Sequence, residues 1–157
     1  MYAGRAEDHD GHAAEVIQLA ETERAAGMAS LTRWREFAKA VEAQRAALRA
    51  LLKRLHDAGK TVAGYGAPAK GTTMLNFCGI GTGLVPYTVD RSPLKVGTLM
   101  PGTHIPVLPV ETVLQRKPDY LLILAWNFAD EIINQQHAFR ERGGEFIVPV
   151  PLPRIVA

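Results

Sequence analysis

The residues best suited to chemistry lie in the stretch Thr61-Val-Ala-Gly-Tyr-Gly-Ala-Pro-Ala-Lys-Gly71, and the chemistry they suit is phosphate binding. Gly64 and Gly66 carry no Cβ, so the backbone can turn tightly there and approach a ligand closely. Pro68 fits the first position of a helix, where its missing N–H costs nothing. Ala67 then stands at the cap, without a side-chain oxygen for the first free N–H groups of that helix. An anion suits those groups, drawn also by the positive end of the helix dipole and by Lys70 in the first turn. Gly64-x-Gly66-x-x-Ala69 further fits the dinucleotide fingerprint, with Asp90 ending the next strand as the acid for a ribose hydroxyl. Other roles stay open. The glycines can form a purely structural turn, with Ala69 letting helix and strand pack closely, and Asp90 can simply cap a loop.

Four more positions can contribute. Trp126 can stack on a base or sugar, and Asn127 offers a donor and an acceptor. His104, on a glycine-flanked loop, is a candidate base or a hydrogen-bonding loop residue, with no carboxylate partner evident. His9 and His12 are candidate metal ligands, but two histidines in a polar terminus fix no geometry, and a frayed end is the plainer reading.

These residues need a scaffold that gathers them. Apolar residues at helical spacing predict a short helix from about Ala13 to Ala26, stopped by Gly27. A longer helix is predicted from Leu31 to Ala58, with Gly59 as its cap. At 1.5 Å per residue it is roughly 40 Å long, so its first half should pack on something outside the sheet. It is a cover helix, an interdomain spacer or a dimer helix with Leu48 on the seam. A short apolar strand opens the stretch at Thr61 and runs into the glycine turn, and further strands follow at 84–90, 105–108, 119–125 and 145–149, the fourth of these five an apolar run typical of a strand buried on both faces. Helices are predicted at 68–78, 109–115 and 130–142, and a loop with neither period at 91–104. Alternating strands and helices imply a doubly wound, parallel Rossmann-like α/β sheet of about five strands in the order 3-2-1-4-5. Its carboxyl edge would carry Tyr65, Gly66, Asp90, Trp126, Asn127 and the tail after Pro149. The organisation expected is an extension (1–30), a connecting helix (31–58) and a nucleotide-binding domain (59–157).

Composition narrows the function. With 157 residues and 47% hydrophobic content the chain can bury a core. A net charge of +2 argues against binding nucleic acid or a membrane surface by bulk charge. No apolar run is long enough to span a bilayer, and the N-terminus lacks a signal-peptide core. The single cysteine, Cys78, excludes an internal disulfide and a cysteine-rich zinc site. A cytoplasmic protein is expected.

Taken together, Gly64 to Asn76, the Asp90 turn, Pro101-Gly-Thr-His-Ile-Pro106, Ala125-Trp-Asn127 and Phe146-Ile-Val-Pro-Val-Pro151 resemble the C-terminal domain of sugar C-methyltransferases. The resemblance runs from about Tyr2 to Ile155, with Tyr2-Ala-Gly4 similar to the end of a preceding central domain. It implies an S-adenosylmethionine-dependent enzyme that methylates a carbon of a nucleotide-linked keto-deoxysugar, usually carried on thymidine diphosphate. It further implies that a base removes a proton beside the keto group and the enolate attacks the donor's methyl. Base and donor pocket would belong to the central domain, with a zinc-binding segment before it. This chain would hold the nucleotide-diphosphate sugar through Tyr65, Gly66, Ala67, Ala69, Lys70, Gly71, Asp90, His104, Trp126 and Asn127. It would not catalyse unaided, and its candidate partners are the methyl-donor domain and a second copy. Thr72 departs from the Asn expected of the family. Two rival readings use the same residues: an NAD(P)-binding domain of an oxidoreductase, which lacks here a Tyr-x-x-x-Lys pair and a second domain, and an assembly module built on the long helix.

Overall fold

The computed structural model describes residues 14–157, so His9, His12 and Tyr2 to Gly4 lie outside it. Two compact units divide the chain, Met1–Val41 and Glu42–Ala157. The first holds α1 (Ala14–Ala25) and the start of α2 (Leu31–Asp57). Gly27 ends α1 with φ +70°, while the Met28 N–H reaches the Glu23 carbonyl across the turn. Ser30 then caps α2, its hydroxyl oxygen accepting the Arg33 N–H at 3.2 Å. No residue of α1 is buried, and none of α2 before Gln44.

The second unit is a six-stranded sheet. Its strands are β1 (Val62–Tyr65), β2 (Thr88–Asp90), β3 (Val107–Pro109), β4 (Tyr120–Ile123), β5 (Glu145–Val148) and β6 (Arg154–Val156), in the order β3-β2-β1-β4-β5-β6. The first five are parallel, in the order expected from the sequence. Successive residues of β1 feed opposite cores, as the two-residue period of a strand requires. Val62 joins Leu122, Ile147 and four α2 leucines, Leu48, Leu51, Leu52 and Leu55. Those leucines form an i, i+3, i+4, i+7 stripe, each worth about 2 kcal/mol when buried. Helix α3 (Ala69–Cys78) lies in the same layer, with Met74, Leu75 and Cys78 inward. Ala63 and Tyr65 face the other core, closed by α4 (Thr112–Arg116), α5 (Ala129–Gln135) and α6 (His137–Glu141).

Several elements differ from expectation. A sixth strand returns antiparallel beside β5, reached through a turn rich in proline. The second strand is only three residues long. The predicted helix 130–142 breaks at Gln136 into α5 and α6. Part of the predicted loop 91–104 forms a small antiparallel ladder with the residues that lead into β3, in which the Gly97 N–H donates to the Val107 carbonyl, the Val107 N–H to the Thr98 carbonyl and the Met100 N–H to the Ile105 carbonyl. Leu48, placed on a dimer seam by its spacing, is fully buried within the chain's own core.

Candidate functional site

Helix α3 begins one residue later than its proline suggested: Pro68 is the cap, extended at φ −81° and ψ 157°, and no side chain caps the helix. The first intrahelical bond to it comes from Thr72 N–H to the Pro68 carbonyl, which leaves the N–H groups of Ala69, Lys70 and Gly71 without helical partners. The opposite end is closed. Gly79 is left-handed there, and Arg49 of α2 donates to the carbonyls of Cys78 and Gly79, the latter at 2.9 Å. The open N-terminus and the capped C-terminus make the outer end of α3, at the carboxyl edge of the sheet, the place for negative charge.

Each glycine of the turn has a separate reason. Gly66 sits at φ +89°, a conformation that a side chain strains, and its N–H reaches the Val89 carbonyl at 2.7 Å. On Gly64 a Cβ would lie 2.6 Å from the Thr88 hydroxyl of β2, which itself donates to the Gly66 carbonyl. Gly71, not Ala69, allows the close approach of helix to strand: its added Cβ would stand 2.8 Å from that of Leu124, while Ala69 is exposed.

Asp90 holds the turn in shape. One carboxylate oxygen accepts the Ala67 N–H at 2.7 Å and the Lys95 ammonium at 3.2 Å, and the other accepts the Ser92 N–H at 2.8 Å. Partial burial works to raise its pKa, but the bonds from Ser92, Ala67 and Lys95 outweigh that and hold it below the ordinary carboxylate value. The loop-capping role is the one these bonds display.

Lys70 extends over the Trp126 ring, its ammonium 4.5 Å from the ring centre. Trp126 and Asn127 stand in a 3-10 turn directly after β4, Asn127 exposed and Trp126 half-buried against both cores. Thr72 turns its hydroxyl back to the Pro68 carbonyl at 3.2 Å. On the other side of Gly66, Tyr65 and Asp90 line two adjoining clefts of about 510 and 280 Å³. Burial raises the pKa of Tyr65, keeping its phenol neutral as it accepts a bond from the Gln136 amide at 3.3 Å.

Thus Tyr65, Gly66, Ala67, Ala69, Lys70, Gly71, Asp90, Trp126 and Asn127 share one rim. His104 does not. It lies on the tip of the small ladder just before β3, at the amino edge, in a left-handed turn at φ +54°. That tip is pinned to the far half of α3, where the Asn76 amide donates to the Pro101 carbonyl at 2.9 Å. Sequence reasoning missed Arg91, which lines both clefts and donates to Gln135 at 3.3 Å. Its signal was its place directly after the acid that ends β2. Among the described residues no cluster suits a metal ion, and no helix is long and apolar enough to cross a membrane.

A curated relative, the C-methyltransferase NovU of Streptomyces niveus, is 44% identical over 155 residues, which is 99% of this chain and 37% of that protein. The chain therefore spans about 37% of the length of the curated relative it matches. Residues 1–151 match the C-methyltransferase C-terminal domain, and it is to this methyltransferase family that the chain belongs.

Proposed function

We propose that the chain is the substrate-binding part of an S-adenosylmethionine-dependent C-methyltransferase whose substrate is a keto-deoxysugar carried on a nucleoside diphosphate. The observation that carries this reading is the uncapped N-terminus of α3 beside Lys70. The diphosphate would take the N–H groups of Ala69, Lys70 and Gly71, with the Lys70 ammonium closing on it. Asp90 acts by shaping the turn, and Trp126, Asn127 and the Arg91 cleft face the nucleoside and sugar. The domain contributes binding energy and orientation for a reaction completed by the rest of the enzyme. The cradle suits an anion rather than the sulfonium of the methyl donor, so the donor is assigned to another part of the methyltransferase.

The oxidoreductase alternative has less support. Both Asp90 oxygens are already engaged by backbone and lysine, leaving little capacity for the ribose hydroxyls of a dinucleotide.

Parallel calorimetric titrations with thymidine diphosphate, NAD and S-adenosylmethionine test the reading. Thymidine diphosphate alone is expected to bind, and Lys70→Glu to weaken it about tenfold or more. Tight NAD binding, or an affinity unmoved by Lys70→Glu, would overturn it.

A further inference from the structure

The first unit carries a surface that the nucleotide site does not explain. A cleft of about 610 Å³ in it is lined by Met28, Arg33, Trp34, Glu36, Phe37 and Ala40. Trp34 and Phe37 meet edge to face at 6.0 Å and remain 51% and 58% exposed. Leu31 is 64% exposed, and on α1 Val16, Ile17 and Leu19 are about half exposed or more. α1 and the part of α2 before Gln44 hold no buried residue, and with this much exposed apolar surface they have no core of their own. Helices with exposed apolar side chains are stabilised chiefly by burying that surface. The family match includes these residues, so the pair belongs to the domain itself.

We infer that this face docks the part of the methyltransferase lying outside the matched region, an apolar protein surface seating a side chain between Met28, Trp34 and Phe37. The choice of occupant rests on length and position. In NovU, 63% of the protein lies outside the match, and the matched domain is described as C-terminal, so most of the enzyme joins on the side of the first unit. Arg33 and Glu36, paired at 3.6 Å beside the aromatics, supply a polar rim. The inference rests on the methyltransferase reading above.

The test uses the purified chain and, as probe, a purified fragment of NovU lacking its matched 37%. Sedimentation of the chain alone should show a monomer at micromolar concentration, and addition of the probe a one-to-one complex. Trp34→Ala and Phe37→Ala should each weaken the complex about 30-fold, as loss of an interface anchor does. Trp34→Glu should abolish it while thymidine diphosphate binding by the chain is unchanged. A complex indifferent to these substitutions would overturn the inference, as would a dimer of the chain alone that Trp34→Glu dissociates, which would give the face to a second copy. Absence of any complex, with the chain correctly folded by circular dichroism, would also overturn it. Association without nucleotide binding would leave this surface in place and remove the diphosphate assignment, so the two readings fail separately.

Discussion

At the scale of single residues, Gly71 shows two effects in opposition. Alanine is worth about 1 kcal/mol more than glycine inside a helix. Against that, a Cβ here would stand 2.8 Å from the Leu124 Cβ and 3.3 Å from its carbonyl oxygen, and overpacking of this kind costs about 1–3 kcal/mol. The contact should win, so Gly71→Ala is expected to lower stability in urea by about 1 kcal/mol and to weaken diphosphate binding as α3 lifts from the sheet. A stabilised variant would show that the helix is free to slide. Asp90 supports a prediction in pH. Its folded pKa lies below its unfolded value, so its contribution is present above the unfolded pKa of about 4 and is lost as pH falls through the folded pKa. Asp90→Asn should cost about 1–3 kcal/mol at pH 7, because the Ala67 and Ser92 N–H groups lose a charged acceptor. The two denaturation curves should converge below about pH 4; a gap constant from pH 7 to pH 3 would count against the assignment.

At the scale of elements, α2 is one helix with two behaviours. Leu52 is fully buried and Phe37 is 58% exposed. Leu52→Ala should cost about 2–5 kcal/mol, while Phe37→Ala in the isolated chain should stay within about 0.5 kcal/mol. Equal losses in guanidinium unfolding would mean that the first half of the helix is already covered. The leucine stripe of α2 and the apolar runs of β1, β4 and β5 were legible because burial on one or two faces imposes a period on the sequence. β6 was hidden by Pro149, Pro151 and Pro153, which an edge strand and its turn tolerate but a central strand does not. The rim was legible too, since residues that end parallel strands must share an edge. What side chains do on that rim was not. Nothing in the letters says that Asp90 turns toward Ala67 and Lys95, or that Arg91 faces a cleft. His104 could have been placed by topology alone: a loop leaving the end of β2 must return to the start of β3, so its last residues stand at the opposite edge.

At the scale of the whole molecule, stability is distributed unevenly. The sheet unit holds both hydrophobic cores, with β1 and β4 in its middle and leucines from α2 packed on one face. Its central strands should open only with global unfolding, which costs about 5–15 kcal/mol in domains of this kind. α1 is 12 residues long with no buried side chain, and a helix of that length is marginal in water without packing. Its opening should therefore cost close to nothing. Native-state hydrogen exchange of the isolated chain is expected to show residues 14–25 exchanging at least about a thousandfold faster than Ala63 to Tyr65 and Leu121 to Ile123. Protection of α1 equal to that of these strands, at concentrations where the chain is monomeric, would mean that its apolar residues are already buried within the chain. Exposure of that face in the free chain and its ordering on association are the same property seen at two concentrations of partner, since any surface that binds only the folded helices adds stability in proportion to its occupancy. The rise in α1 protection as a partner is added would therefore measure how tightly that face is held.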